Sequence, residues 1–178
     1  LLFVVSLLTA EGAIAVLGYL GAYALIMDRR GWFRGGLALI PFVAVMVVWR
    51  ILYNRYGFGS ENIGLYVDPG RSPREFFWQL FLVFPCIVTS MITGADALVS
   101  AFAPEARNLV RALAWIVTVG SVFLVRNNLR ADKVARFMFL GSVIAVIPHA
   151  TLLSAGNRSG AFVAMGFFYV LGLWLRDL

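Results

Sequence analysis

Charge is what this chain has least of. Only 13% of its 178 residues are Asp, Glu, Lys or Arg, about half the share of an ordinary soluble domain. It has one cysteine, Cys86, and one histidine, His149. A lone cysteine excludes an internal disulfide and leaves the redox compartment open. A lone histidine with no cysteine at ligand spacing gives a metal centre no support, so no cofactor is identified; a divalent metal is possible but unsupported. HExxH and Ser-His-Asp orders are absent, and "GFGSENIG" lacks the strand–turn–helix setting of a phosphate-cradling loop. No basic n-region or small-residue cleavage site marks a signal peptide. The chain opens at Leu1 inside an apolar run, which we read as the end of a severed helix in a longer protein.

What is present is hydrocarbon. Apolar residues make up 61% of the chain, and mean hydropathy is +0.87. A chain of this length cannot bury so much apolar surface in a water-facing fold. Lipid is the solvent that accepts it, and only helices or closed barrels satisfy the backbone there. The apolar runs are continuous rather than alternating, so helices are expected. The fold class is all-α, a polytopic helical membrane protein forming a single domain over 1–178. The formal charge of +6 does not indicate nucleic acid, because the fifteen Lys and Arg sit mostly at the ends of apolar runs. That is where cytoplasmic bias and lipid headgroups place them.

Five clear spans are predicted: Gly12 to Met27, Gly35 to Tyr53, Asn108 to Val125, Phe137 to Ser154 and Gly160 to Leu175. Two basic stretches, "DRRGWFR" and "RNNLRADKVAR", set the orientation, and both belong in the cytoplasm. An even number of crossings must then separate them. Phe76 to Gly94 is apolar enough to span, yet must not cross; it is expected to be interfacial or re-entrant, with Phe76, Phe77 and Trp78 at headgroup depth. Residues 54–107 form an extracytoplasmic loop carrying this segment (76–94). If the segment does cross, the second basic stretch lands outside.

In the non-crossing arrangement several ionisable groups gather at the extracytoplasmic face: Glu11, Arg50, His149 and Arg158, with Asp68, Tyr53 and Arg71 as loop candidates. Each has a plain alternative. Glu11 suits a helix N-terminus, Arg50 can snorkel, His149 can bond a carbonyl freed by Pro148, and Arg158 can meet lipid phosphate. Ionisable groups near a membrane interior nevertheless favour function more than surface charges do.

Three stretches carry a resemblance. "SLLTAEGAIAVLGYLGAYAL" resembles the LLS-x-E segment of GT-C fold membrane glycosyltransferases, where one helix ends at an acid and the next begins. "IPHATLLSAGNRSGAFVAMGFFYVLG" resembles their later helix pair, in which a proline precedes an outer turn ending in a charged residue and arginine. Pro148 and Arg158 match; Asn157 stands where an acid is common. "YGFGSENIGLYVDPGRSPREFF" resembles a loop of uncharacterised bacterial multi-spanning relatives. The resemblance implies sugar transfer from a polyprenyl-phosphate carrier at the extracytoplasmic face of a bacterial inner (plasma) membrane. This chain would be the C-terminal part, and the catalytic acid would lie upstream of it. It also implies that Arg158 pairs with the donor phosphate, that Glu11 orients the sugar or an arginine, and that His149 bonds phosphate or sugar hydroxyls. A transporter or flippase for a lipid-linked or anionic substrate is the competing expectation, although no internal repeat is visible. A non-catalytic membrane scaffold is the third.

Overall fold

The computed structural model describes residues 2–9, 11–29, 31–57, 67–93, 105–151 and 160–178. The described residues form helices and turns, with no strand among them. Helix α1 covers Leu2–Thr9. A 3-10 segment, Glu11–Ala15, leads into α2 (Val16–Ala22), which ends in a π turn, Tyr23–Met27. Helix α3 is Trp32–Arg55, α4 is Pro73–Thr93, α5 is Arg107–Ala131, α6 is Lys133–His149 and α7 is Ala161–Arg176. Three of these, α3, α4 and α5, are long and apolar enough to cross a membrane; Gly12–Met27 and Ala161–Arg176 are shorter apolar helices.

Helix ends depart from the apolar runs for local reasons. α5 continues through Arg126, Asn127 and Arg130, and α6 begins at Lys133. The stretch expected as a basic loop is therefore two helix ends broken at Asp132. Its backbone turns extended there, and its carboxylate accepts the Val134 N–H at 2.7 Å as an N-cap. α4 starts earlier than its apolar run because Pro73 suits a first helical position and Glu75 the positive end of the dipole. α3 is bounded by glycines with positive φ, Gly31 at 91° and Gly57 at 70°, the second ending the helix in the left-handed region.

The core is a polar pin surrounded by close helix contacts. Buried Tyr19 of α2 aims its hydroxyl between α6 and α7. It shares a 2.8 Å hydrogen bond with Ser142, donates to the Phe162 carbonyl and accepts the Gly166 N–H at 3.0 Å. Phe162 and Gly166 lie four apart, so the phenol lies alongside one rung of the α7 ladder. A tyrosine hydroxyl has one proton to give; with that spent on Phe162, the Ser142 hydroxyl is the donor in their bond. Glycines admit the pin. A Cβ on Gly141 would meet the Tyr19 ring, and one on Gly166 would meet the Met138 carbonyl. Gly18 lets α2 touch α6, where a Cβ would lie 2.8 Å from the Ala145 nitrogen. Around the pin, Ala15, Val83, Ile87, Val88, Val146, Val163 and Phe167 form the main buried cluster.

α4 is the most enclosed of the three long helices: 44% of its apolar window is buried, against 6% for α3. It runs as one helix through Pro85, without reversing. Two threonines join it to α5, Thr89 donating to the Ala114 carbonyl at 3.1 Å and Thr118 to the Pro85 carbonyl at 3.4 Å. The turn before α4 and the last turn of α4 each touch one border of the α6–α7 connection. In the turn before α4, the Val67 N–H bonds the Thr151 carbonyl at 2.8 Å. At its far end the Met91 methyl fills the space a Cβ on Gly160 would need. Phe77 and Trp78 are exposed, whereas Phe76 is only 4% exposed and faces the core. One helical step separates Phe76 from Phe77, which turns them about 100° apart.

Two substitutions check this packing. Tyr19→Phe removes the pin and leaves Ser142 and the α7 backbone short of a partner, so it should cost about 1–3 kcal/mol in reversible unfolding from detergent micelles. Gly18→Ala should cost about 1–3 kcal/mol, because backbone atoms block the new methyl. Gly21, where an added methyl would meet no atom within 4 Å, should accept alanine without loss in the same assay.

Candidate functional site

Polar side chains of the described residues meet at the end of the bundle where α3 finishes, α4 begins and α6 finishes. Arg50, just over one helical turn before the end of α3, forms an ion pair with Asp68. Its guanidinium also lies 5.8 Å from the Tyr53 ring centroid, and Tyr53 packs on Trp49 at 4.8 Å. Asp68 organises the turn into α4. Its second carboxylate oxygen accepts the Gly70 N–H at 2.8 Å, while its carbonyl accepts the Arg71 and Ser72 N–H groups. A single aspartate thus ties α3 to the N-terminus of α4. The pair is shielded, with the Asp68 side chain 10% exposed and Arg50 30%, so it is held more firmly than an open surface pair.

From that turn the chain reaches α6 directly. Val67, next to Asp68, bonds the Thr151 carbonyl. Two residues before Thr151 lies His149, 4% exposed. Its Nε2 is buried and has no hydrogen-bond partner among the described residues. The carbonyl-capping role open to an imidazole after Pro148 is not what it performs. Thr151 donates its hydroxyl to the Pro148 carbonyl at 2.8 Å, and the Ala150 N–H is shared between Val146 and Ile147, leaving His149 out of the local network. The imidazole faces Gly12 instead, with Cε1 3.8 Å from where a Cβ on that glycine would sit. The residue beside Gly12 is Glu11, whose backbone opens the 3-10 segment.

Of the sequence-derived candidates, Arg50, Tyr53, Asp68 and Arg71 form one connected group, and His149 is joined to it through Val67 and Thr151. Arg158 and the Glu11 side chain lie outside the described residues. Sequence reasoning missed Gly12, which faces the imidazole, and Thr151, whose carbonyl takes the Val67 N–H; neither carries a signal beyond its position near a polar residue. No group of three or more His, Cys, Asp or Glu able to hold a metal occurs among the described residues.

An apolar groove of about 340 Å³, counted with its open side, lies elsewhere, among Ile92, Ser121, Phe139, Phe167, Phe168 and Leu171. Its one polar side chain, Ser121, already donates to the Thr118 carbonyl. That groove carries no chemistry, and the polar end of the bundle is the candidate site.

A buried, unpartnered imidazole costs stability, about 1–3 kcal/mol for a neutral polar atom denied water. His149→Leu, similar in volume, should therefore raise the unfolding midpoint of the ligand-free protein. A lowered midpoint in the same thermal scan would show that the imidazole is structural.

No protein-family model, curated protein or solved structure matches this chain.

Proposed function

We propose that this chain is the C-terminal part of a multi-pass enzyme of the bacterial inner membrane. In this reading it handles a sugar carried on polyprenyl phosphate at the extracytoplasmic face, as its resemblance to GT-C fold glycosyltransferases implies. The observation that carries the reading is the buried His149 Nε2, unpartnered among the described residues, two residues from the Thr151 carbonyl that holds the Arg50–Asp68 turn. An arrangement that leaves a buried imidazole without a bond, next to a turn fixed by a shielded ion pair, suits a ligand that supplies the missing partner.

The proposal requires that α4 not cross the bilayer, so that Arg50, Asp68, His149 and Arg158 share a side. The contacts of α4 support this. A 21-residue helix is about 31 Å long, close to the hydrocarbon thickness. A helix crossing upright would carry its two ends to opposite surfaces. Here Val67, in the turn before α4, bonds Thr151, and Met91 near the far end of α4 lies against Gly160, the two borders of the α6–α7 connection. The Gly12–Met27 segment with α3, α5, α6 and α7 would supply the five crossings.

In this scheme the bond between the sugar and the carrier phosphate breaks as a bond from the sugar to the acceptor hydroxyl forms. The acceptor proton passes to the carboxylate expected upstream. Arg158, in the α6–α7 connection, offers forked N–H donors to the departing phosphate, and His149 binds a sugar hydroxyl or phosphate oxygen. Arg50 acts at one remove, because its charge is already committed to Asp68.

The test is sugar transfer by the intact protein in proteoliposomes, from a panel of polyprenyl-phosphate sugars. Arg158→Ala should lower transfer about 10²–10³-fold, the usual loss when one stabilising donor is removed. Unchanged transfer by that variant would overturn the assignment.

A further inference from the structure

The opposite end of α6 carries a second feature, which does not depend on the reading above. Along α5, Ile116, Val119 and Phe123 are 68%, 60% and 60% exposed. They recur at alternating steps of three and four and so line one face, and the next two positions in that series are Arg126 and Arg130. Among the described residues none covers the apolar part of this face, on a helix long enough to cross a membrane. Its lower end is built, not frayed: the Arg126 guanidinium lies over the Phe123 ring, 3.9 Å from its centroid. Past the break at Asp132, α6 adds Lys133 and Arg136 to the same corner.

All four cations are exposed. None has an ion pair or hydrogen bond among the described residues. The corner's acids are engaged elsewhere. Asp132 caps α6, and Asp177 accepts from Arg176 and from Asn128 at 2.7 Å. Positive charge therefore accumulates without compensation where an uncovered apolar stripe ends.

The geometry points to a binding site for an acidic phospholipid, its phosphate bridging Arg126 and Arg130 and one acyl chain lying along Phe123, Val119 and Ile116. A guanidinium stacked on an aromatic face keeps its N–H edge free for forked bonds to phosphate oxygens. The stripe above it accepts hydrocarbon, which a free phosphate would not use. The flanking Lys133 and Arg136 select net negative charge over a zwitterionic headgroup, since each nearby cation strengthens attachment to anionic lipid.

Native mass spectrometry of the protein released from micelles holding equal phosphatidylglycerol and phosphatidylcholine tests this. The wild type should keep phosphatidylglycerol at least about tenfold in preference. Arg126→Gln with Arg130→Gln should weaken that binding about thirtyfold, the loss expected for two headgroup cations. Arg55→Gln with Arg74→Gln, an equal charge loss near the other end, should leave it unchanged. Millimolar inorganic phosphate should not displace the lipid. Equal retention of the two lipids by the wild type overturns the proposal without any variant. So does a loss in Arg126→Gln/Arg130→Gln no larger than in the control pair, or displacement by free phosphate, which would make the corner a simple anion site.

Discussion

Helices surrounded by hydrocarbon gain nothing from hiding apolar surface from one another, so contact must come from fit and from polar bonds. The Tyr19 hydroxyl is the centre of that arrangement here. It joins α2 to α6 through Ser142 and to α7 through Phe162 and Gly166, using its donor and both acceptor positions. The bond set works only because Gly18, Gly141 and Gly166 bring three backbones close enough for a phenol to reach across. Glycine weakens a helix in water; at these positions its missing side chain is what makes the helices touch. The threonine exchange between α4 and α5 follows the same logic one layer out, each hydroxyl reaching a carbonyl of the facing helix.

The candidate site inherits its rigidity from that pin. Tyr19 fixes α2 against the middle of α6, so the 3-10 segment entering α2 lies beside the last turn of α6, and Gly12 meets His149. Asp68 performs the second fixation, holding the turn into α4 to α3, while Val67 holds it to α6. The polar groups around His149 are consequently spent on one another. Asp68 is occupied by Arg50 and Gly70, and the carbonyls near Pro148 by Thr151 and Ala150. An imidazole excluded from a network that satisfies its neighbours is different in kind from one caught in loose packing.

Composition makes the all-α class and the apolar helices plain in the sequence, because a hydrocarbon solvent demands both continuous apolar runs and internal backbone bonding. Helix ends are less plain. Hydropathy falls off at Val125, but the hydrogen-bond ladder of α5 continues to Ala131, since Arg126, Leu129, Arg130 and Ala131 are strong helix formers whatever their polarity. Phe76 reads as an interfacial aromatic beside Phe77 and Trp78 until the helix phase turns it inward. In the candidate site, Arg50, Asp68 and His149 stand out individually as charges beside apolar segments. Their relationships do not, because nothing local links positions 50 and 68, or 12 and 149. The Tyr19–Ser142 bond, across 123 residues, is hidden for the same reason.

The two ends of α6 show how one helix can serve opposite electrostatic conditions. At its start, acids are occupied and cations are left in excess, beside an apolar stripe left exposed among the described residues. At its end, the ion pair is closed and the unsatisfied atom is a buried ring nitrogen without a partner among the described residues. Long-range attraction suits the first, where an acidic headgroup arrives from a charged surface layer and binds by field strength. Short-range complementarity suits the second, where a partner must present a hydrogen-bonding group at one buried atom. That difference makes the exposed corner sensitive to lipid charge and salt, and the buried end sensitive to the shape of what enters it.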